Sequence, residues 1–111
     1  MEIAFATKRL RQLCETEATA RDALGDKAAQ KLRARLADLR AAQSVKDLVA
    51  GRPSEVRRDG AQLIAIGLSC GARLLFSANH SKIPVTGKGD VDWSKVGRVK
   101  VICIEDGDDR D

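Results

Sequence analysis

The clearest periodic pattern of the chain lies between residues 27 and 43. Its apolar positions recur at intervals of three and four, and charged residues occupy most of the positions between them. The apolar set is Ala29, Leu32, Leu36 and Leu39. Such a stripe is typical of an amphipathic helix that packs on a sheet. The pattern predicts this helix, with Asp26 as its N-cap and a basic face that is either solvated or a further binding surface.

A strand and shorter helical segments are predicted ahead of that helix. Residues 2–6 are mostly apolar, and Thr7 after them has a hydroxyl that can accept a hydrogen bond from a free N–H at a helix start. The apolar residues that follow at helical spacing are Leu10, Leu13 and Cys14. We expect this helix to break within 15–19, and any further turns to end at Gly25, which adopts the left-handed conformation without a Cβ clash.

The second half of the chain has the pattern of a sheet. Three apolar stretches at 62–68, 73–78 and 99–104 predict strands. The first two are separated by three residues only, Ser69, Cys70 and Gly71, which predicts a tight hairpin connection. The predicted order of elements is therefore strand, two helices, three strands.

Two irregular segments are predicted around this hairpin. Residues 51–60 contain glycine, proline and arginine, which favours a basic loop. The segment 79–97 has little apolar content and contains Trp93, the single tryptophan of the chain. We expect Trp93 to anchor this long loop to the core.

Length and charge divide the chain unevenly. At 111 residues it fits one domain, and we expect a domain over 1–104 followed by an acidic, flexible tail over 105–111. The tail carries five acidic residues and one arginine, so residues 1–104 carry 19 basic and 11 acidic side chains, a net charge of +8. This balance favours a polyanion or an acidic protein as partner, although a merely soluble surface remains the alternative.

The cysteines and the apolar runs indicate the compartment. The three cysteines, Cys14, Cys70 and Cys103, are odd in number and lack the close spacing of metal ligands. They are interpreted as buried thiols, with a disulfide between two of them left open. Because the chain shows neither a secretory leader nor an apolar run long enough to cross a membrane, we expect a cytoplasmic protein.

Four segments together resemble the HigB-like branch of the RelE/ParE toxins, often called plasmid-maintenance killer proteins. They are the hairpin segment Gly71-Ala72-Arg73-Leu74-Leu75-Phe76, the segment Asp92-Trp93-Ser94-Lys95-Val96, the basic helical segment 31–36 and the loop 51–59. The resemblance implies an α+β fold, a small twisted and mainly antiparallel sheet with two N-terminal helices packed on one face.

The resemblance also implies a function. Such a chain is the toxin of a type II toxin-antitoxin system, a ribosome-dependent endoribonuclease that cuts mRNA without a metal or any other cofactor. Its partners are mRNA, the ribosome and a cognate antitoxin with a helix-turn-helix domain, and no membrane is involved. Other members of the superfamily inhibit DNA gyrase, and that target is one alternative here.

Arginines are the strongest candidate site residues. Arg73 falls on the arginine of the family's Gly-Tyr-Arg hairpin motif, and its planar, permanently charged fork suits two phosphate oxygens. Arg52, Arg57 and Arg58, in the predicted basic loop, are expected to bind substrate phosphates. An ion pair at a strand edge is the competing interpretation for Arg73, and a solvated turn is the competing one for the loop.

The chain has few residues suited to proton transfer at the positions where the family has them. Ala72 stands where the family has tyrosine, and Ser54 stands where it has a loop histidine. The family's terminal Asp-Tyr-His falls on Asp106-Gly107-Asp108. The remaining candidate catalytic residues are His80, the single histidine, and Asp108.

These departures keep a second class of function open. The chain is then a homologue that still binds an antitoxin and has lost efficient cleavage. The acidic residues after the last strand suggest a related hypothesis, in which they lie across the basic cleft as a phosphate mimic. A disordered, solubilising tail is the simpler interpretation.

Overall fold

The computed structural model describes residues 1–69 and 71–105, which form an α+β fold with three helices and one five-stranded sheet. In chain order the elements are β1 (Glu2–Phe5), α1 (Lys8–Glu15), α2 (Glu17–Leu24), α3 (Asp26–Ala41), β2 (Ser54–Arg58), β3 (Ala61–Gly67), β4 (Arg73–Ala78) and β5 (Arg98–Glu105). Two short 3₁₀ turns, Val45–Asp47 and Trp93–Lys95, lie before β2 and before β5. No helix in the described part of the chain has the length and apolar character that a membrane crossing requires.

The N-terminal helical region begins at the predicted cap and contains three helices, one more than predicted. The Thr7 hydroxyl accepts a hydrogen bond from the backbone N–H of Leu10 at 3.1 Å, which confirms the predicted cap. The predicted break occurs at Thr16, whose extended backbone separates α1 from α2, so three helices form instead of two. The prediction of Asp26 as the cap of α3 is wrong, because Gly25 with φ +86° occupies the cap and Asp26 is the first helical residue. There its carboxylate faces the positive end of the helix dipole.

The sheet is mixed, with the strand order β1-β5-β4-β3-β2. β1 runs parallel to β5, and every other neighbouring pair is antiparallel. The predicted hairpin of β3 and β4 is confirmed, with Gly67 opposite Arg73. Between Leu75 and Phe76 the pairing of β4 with β5 shifts by one residue, which is a β-bulge.

The interpretation of residues 51–60 as an irregular loop is wrong for its second half. Residues 54–58 form β2 and pair with β3 along their whole length. The turn between the two strands consists of Asp59 and Gly60, both with positive φ, which is the geometry that two-residue hairpin turns require. Only Val56 of β2 is partly buried, so the strand lacks the apolar alternation by which strands are recognised.

Two apolar clusters occupy the two faces of the sheet. The larger one lies between the sheet and the helices, and it contains the predicted stripe of α3 together with Leu74 and Phe76 of β4. Trp93 belongs to it and is 5% exposed, so its predicted role as an anchor of the long loop is confirmed. The smaller cluster contains strand residues only: Leu63, Ala65 and Leu75, with Val56, Ile102 and Cys103 packed against them. We call the face that carries this smaller cluster the open face.

Candidate anion-binding site on the open face of the sheet

Strand alternation places Arg58 and Arg73 on the open face. Successive side chains of a strand point to opposite faces. Leu74 packs against the helices, so Arg73 and Leu75 project from the other side of β4. Val56 packs in the smaller cluster, and Arg58, two residues later on β2, shares its face.

The two guanidinium groups converge on one carboxylate. Arg73 Nη2 donates to Glu105 Oε1 at 2.8 Å. Arg58 donates from Nη2 to Glu105 Oε2 at 3.0 Å and to Oε1 at 3.2 Å, and from Nε to Oε2 at 3.3 Å. We call these three residues the Glu105 cluster. Their side chains are 33% to 43% exposed, so the cluster is open to solvent on one side.

The contact between Arg58 and Glu105 shows that the sheet is curved. In the strand order, β3 and β4 separate β2 from β5, which in a flat sheet is a lateral distance of about 14 Å. Arg58 is also opposite the first residue of β3, whereas Arg73 and Glu105 align with its last residue, an offset along the strands of about 20 Å. The two side chains are too short to span both distances. The sheet therefore curls, and its twist brings β2 towards β5 over the open face.

The smaller apolar cluster forms the floor beneath these charges. Leu75 is 0% exposed and Ala65 is 1% exposed, although no helix packs on this side of the sheet within the described residues. A dry floor lowers the effective dielectric constant on one side of the guanidinium groups and strengthens their attraction for an anion.

Glu105 is ionised at neutral pH. The hydrogen bonds from Arg73 and then from Arg58 hold the pKa of the Glu105 carboxyl below its ordinary value, and they outweigh the opposing effect of burial. The cluster therefore has two positive charges and one negative charge. This pairing is the ion pair at a strand edge that competes with phosphate binding as the interpretation of Arg73. Its two planar forks aimed at one pair of oxygens make it a candidate anion site.

The other two predicted phosphate-binding residues occupy different places. Arg57 projects from the opposite side of β2, and its Nη2 lies 3.4 Å from Asp90 Oδ1 in the long loop, so the structure separates it from the Glu105 cluster. Arg52 is exposed in the turn before β2 and has no ion-pair partner among the carboxylates of residues 1–69 and 71–105.

A close backbone approach places Arg52 near the same end of the sheet as Arg73. The backbone N–H of Gly67, which is opposite Arg73, donates to the carbonyl of Gly51 at 2.7 Å. Gly51 has φ +83°, and a Cβ there would clash with the Ile66 side chain and stand 3.0 Å from the Gly67 oxygen. Glycine is therefore required at position 51, and it sets the start of the basic segment against the end of β3.

The structure does not bring His80 to the arginines. Arg73 is the first residue of β4 and His80 lies two residues beyond its end, a separation of about 20 Å along the chain. His80 Nε2 accepts a hydrogen bond from the backbone N–H of Gly97 at 3.2 Å, so the ring joins the long loop to the segment before β5. Asp108, the other candidate for proton transfer, lies outside the described residues.

The departures from the family pattern also have defined places. Ala72, where the resemblance implies a tyrosine, is 5% exposed and lies in the connection between β3 and β4. Ser54, at the position of the loop histidine, is the exposed first residue of β2. Neither side chain can act as a general base near neutral pH.

The thiols are less buried than expected. Cys14 and Cys103 are both partly exposed and free, and Cys70 lies outside the described residues. Burial raises the pKa of the Cys14 thiol to about 11, and burial together with Glu105 raises the pKa of the Cys103 thiol. Neither thiol is therefore activated as a nucleophile. The described residues contain no group of three His, Cys, Asp or Glu side chains suited to a metal ion.

The pairing of Glu105 with two arginines was foreseen only as part of the hypothesis that the acidic residues after the last strand lie across the basic cleft. The sequence interpretation placed it at the start of a flexible tail, whereas it is the last residue of β5 and pairs with Arg73 across the strands. The available signal was the position of the first acidic residue directly after an apolar strand. Comparisons of the chain with protein-family models, with curated proteins and with solved structures give no match.

Proposed function

We propose that this chain is the toxin of a type II toxin-antitoxin system, an endoribonuclease that cuts mRNA on the ribosome without a metal. One observation carries the proposal: the guanidinium groups of Arg58 and Arg73 converge, partly exposed, on a single anionic group over a dry floor. The resemblance of the hairpin segment to RelE/ParE toxins independently assigns Arg73 to phosphate binding. The cytoplasm is the compartment in which such a toxin meets its target.

The proposed chemistry is electrostatic. Attack of a ribose 2′-hydroxyl on the neighbouring phosphate concentrates negative charge on the phosphorane oxygens. Two guanidinium groups placed at those oxygens stabilise that charge more than they stabilise the starting diester. Because neither a tyrosine nor a histidine stands beside the cluster within the described residues, general acid-base catalysis, which contributes about 10²- to 10⁴-fold, is weak here. We expect a slow nuclease.

The proposal includes a RelE-like arrangement of the fold. Two features support it: the helices pack on one face of the sheet, and the curled antiparallel strands β2 to β5 carry the arginines on the other. The partner proposed for the chain is a cognate antitoxin with a helix-turn-helix domain. The basic balance of residues 1–104 supports both an RNA substrate and an acidic partner segment.

A second candidate is a homologue that binds an antitoxin and cleaves no RNA. The buried Ala72 favours it, because the hairpin offers no ring at that position to hold a base of the substrate. Inhibition of DNA gyrase is a third outcome that the same experiment distinguishes.

Inducible expression in bacteria tests the proposal, with the wild-type chain, Arg73→Ala and Arg33→Ala compared. Arg33 is a matched control because it also pairs with a glutamate, at 3.3 Å, but lies on α3. We expect growth arrest and new mRNA ends in primer extension with the wild type and Arg33→Ala, and neither with Arg73→Ala. Circular dichroism of the purified chains checks that all three fold.

Other outcomes reassign the function. Arrest with intact mRNA and broken DNA would contradict the nuclease and favour gyrase as the target. Harmless expression of a folded, soluble wild-type chain would favour the antitoxin-binding homologue.

A further inference from the structure

We propose that Glu105 occupies the position of an RNA phosphodiester between Arg58 and Arg73, so that the chain carries its own competitor for the substrate. This inference rests on the proposed function and adds a regulation to that site. The ligand class is a phosphodiester of single-stranded RNA, whose two non-bridging oxygens take the place of the two carboxylate oxygens.

The first support is the match of the two anions. A carboxylate and a phosphodiester each share one negative charge between two oxygens, and arginine binds either of them through parallel N–H donors. Both Glu105 oxygens are engaged, Oε1 by Arg73 and both Oε1 and Oε2 by Arg58. A phosphate cannot enter this position while the carboxylate remains, because the two anions repel each other and need the same donors.

The second support is that the Glu105 side chain can move away while the two arginine side chains keep their positions. Arg58 Nη1 also donates to the backbone oxygen of Arg57 at 3.2 Å, so its guanidinium keeps an anchor. Arg73 starts from the paired strand β4, which the apolar floor holds in place. Glu105 is one-third exposed and ends β5, so its side chain has solvent to rotate into.

Displacement changes the electrostatics of the site in a measurable way. With Glu105 in place the three charges sum to +1, and with a neutral residue at position 105 they sum to +2. A site with the higher charge binds RNA more tightly at low salt and has a steeper salt dependence. If Glu105 instead positions the arginines, its removal weakens binding, which is the opposite sign.

The experiment measures fluorescence anisotropy of a short, labelled 2′-O-methyl RNA, which cannot be cleaved by attack of its own 2′-hydroxyl. The full chain is used as wild type, Glu105→Gln, Glu105→Ala, Arg73→Ala and Glu17→Gln. Glu17 is a matched control, since it also pairs with two arginines, Arg21 at 3.1 Å and Arg33 at 3.3 Å, on the helices. Thermal unfolding confirms that each variant is folded.

We expect both position-105 variants to bind the RNA about threefold to tenfold more tightly than the wild type at low salt. The logarithmic salt slope steepens by about 0.7, the value for one further phosphate contact on a single strand. Glu17→Gln changes the affinity less than about twofold, because its charge lies outside the site. Arg73→Ala weakens binding.

The remaining outcomes separate the two proposals. Unchanged or weaker binding by the position-105 variants, with Arg73→Ala also weak, overturns the competitor and leaves the RNA function standing. Equal tightening by Glu17→Gln and Glu105→Gln overturns the competitor as well, because the effect is then one of overall charge. Wild-type affinity in Arg73→Ala, or no binding by any variant, overturns both.

Discussion

Among residues 1–69 and 71–105, two places hold one glutamate between two arginines, and they differ in almost everything else. In the Glu17 cluster, the carboxylate lies 3.1 Å from Arg21 and 3.3 Å from Arg33 on the helices, with side chains 49% to 64% exposed. In the Glu105 cluster, the shortest contacts are 2.8 and 3.0 Å, with side chains 33% to 43% exposed. The residue types are the same, so the difference comes from where the backbone holds them.

The two clusters also join different parts of the chain. Glu17 and Arg21 are four residues apart on one helix, where such a pair contributes little and needs no tertiary structure. Glu105 is 47 residues from Arg58 and 32 from Arg73, so its contacts exist only when the sheet has formed and curled. A carboxylate between two arginines therefore becomes a candidate site when contacts across the sheet, and not contacts within one helix or between neighbouring helices, bring the three groups together.

The largest expected effect is on the free energy of unfolding, when a side chain of the apolar floor beneath the Glu105 cluster is shortened. Leu75 is 0% exposed in its floor, so Leu75→Ala should lower the free energy of unfolding by about 2 to 4 kcal/mol. The lost methyl groups leave a cavity between the strands that the curl brings together. Urea unfolding followed by circular dichroism measures the loss, with Val49→Ala, at a residue 82% exposed, as the control that changes little. A loss in Leu75→Ala no larger than in the control would contradict a dry floor.

A smaller difference is expected between the coupling energies of the ion pairs in the two clusters. Double-mutant cycles that combine Glu105→Gln with Arg73→Ala, and Glu17→Gln with Arg33→Ala, isolate the two couplings. The first should approach about 1 kcal/mol, and the second about 0.2 kcal/mol, which are the upper and lower ends for ion pairs open to solvent. The readout is the same urea titration. Equal couplings would show that the floor adds nothing to the pair.

The smallest effect is expected in the pH dependence of stability. The arginines hold the pKa of the Glu105 carboxyl below its unfolded value of about 4.3, so the ionised form stabilises the folded state. This contribution is complete above that unfolded pKa, and it is lost as the pH falls through the lower folded pKa. The stability of the wild type should therefore approach that of Glu105→Gln as the pH falls. Thermal unfolding of both chains over that range measures it, and a constant gap between them would be evidence against the pairing.

Local patterns predicted a large part of the fold. The stripe of α3, the cap at Thr7 and the hairpin of β3 and β4 were all readable, because each depends on residues close in sequence. β2 was missed since its neighbours cover only one of its side chains in part, so it has no apolar alternation to show. Its backbone pairs nonetheless with all of the opposite strand residues from 61 to 65.

The candidate site was only half predictable. Arg73 was singled out through a short motif, and the structure shows it in an ion pair at a strand edge, which was its competing interpretation. Arg58, the second arginine of the Glu105 cluster, was grouped with Arg52 and Arg57 in one predicted loop. In the structure, alternation along β2 sends Arg57 to the other face of the sheet. Its convergence with Arg73 depends on the curl of the whole sheet, which no local pattern encodes.

The β-bulge described above decides on which side of the sheet the negative charge stands. On β5, Val99 and Val101 pack against the helices, and strict alternation would send residue 105 to that same side. One extra residue opposite β4 reverses the parity, so that Cys103 packs on the open face and Glu105 follows it there. Deletion of the extra residue, Ile102, would restore regular pairing with β4 and leave Glu105 on the open face, so the bulge absorbs the one residue by which β5 exceeds strict alternation.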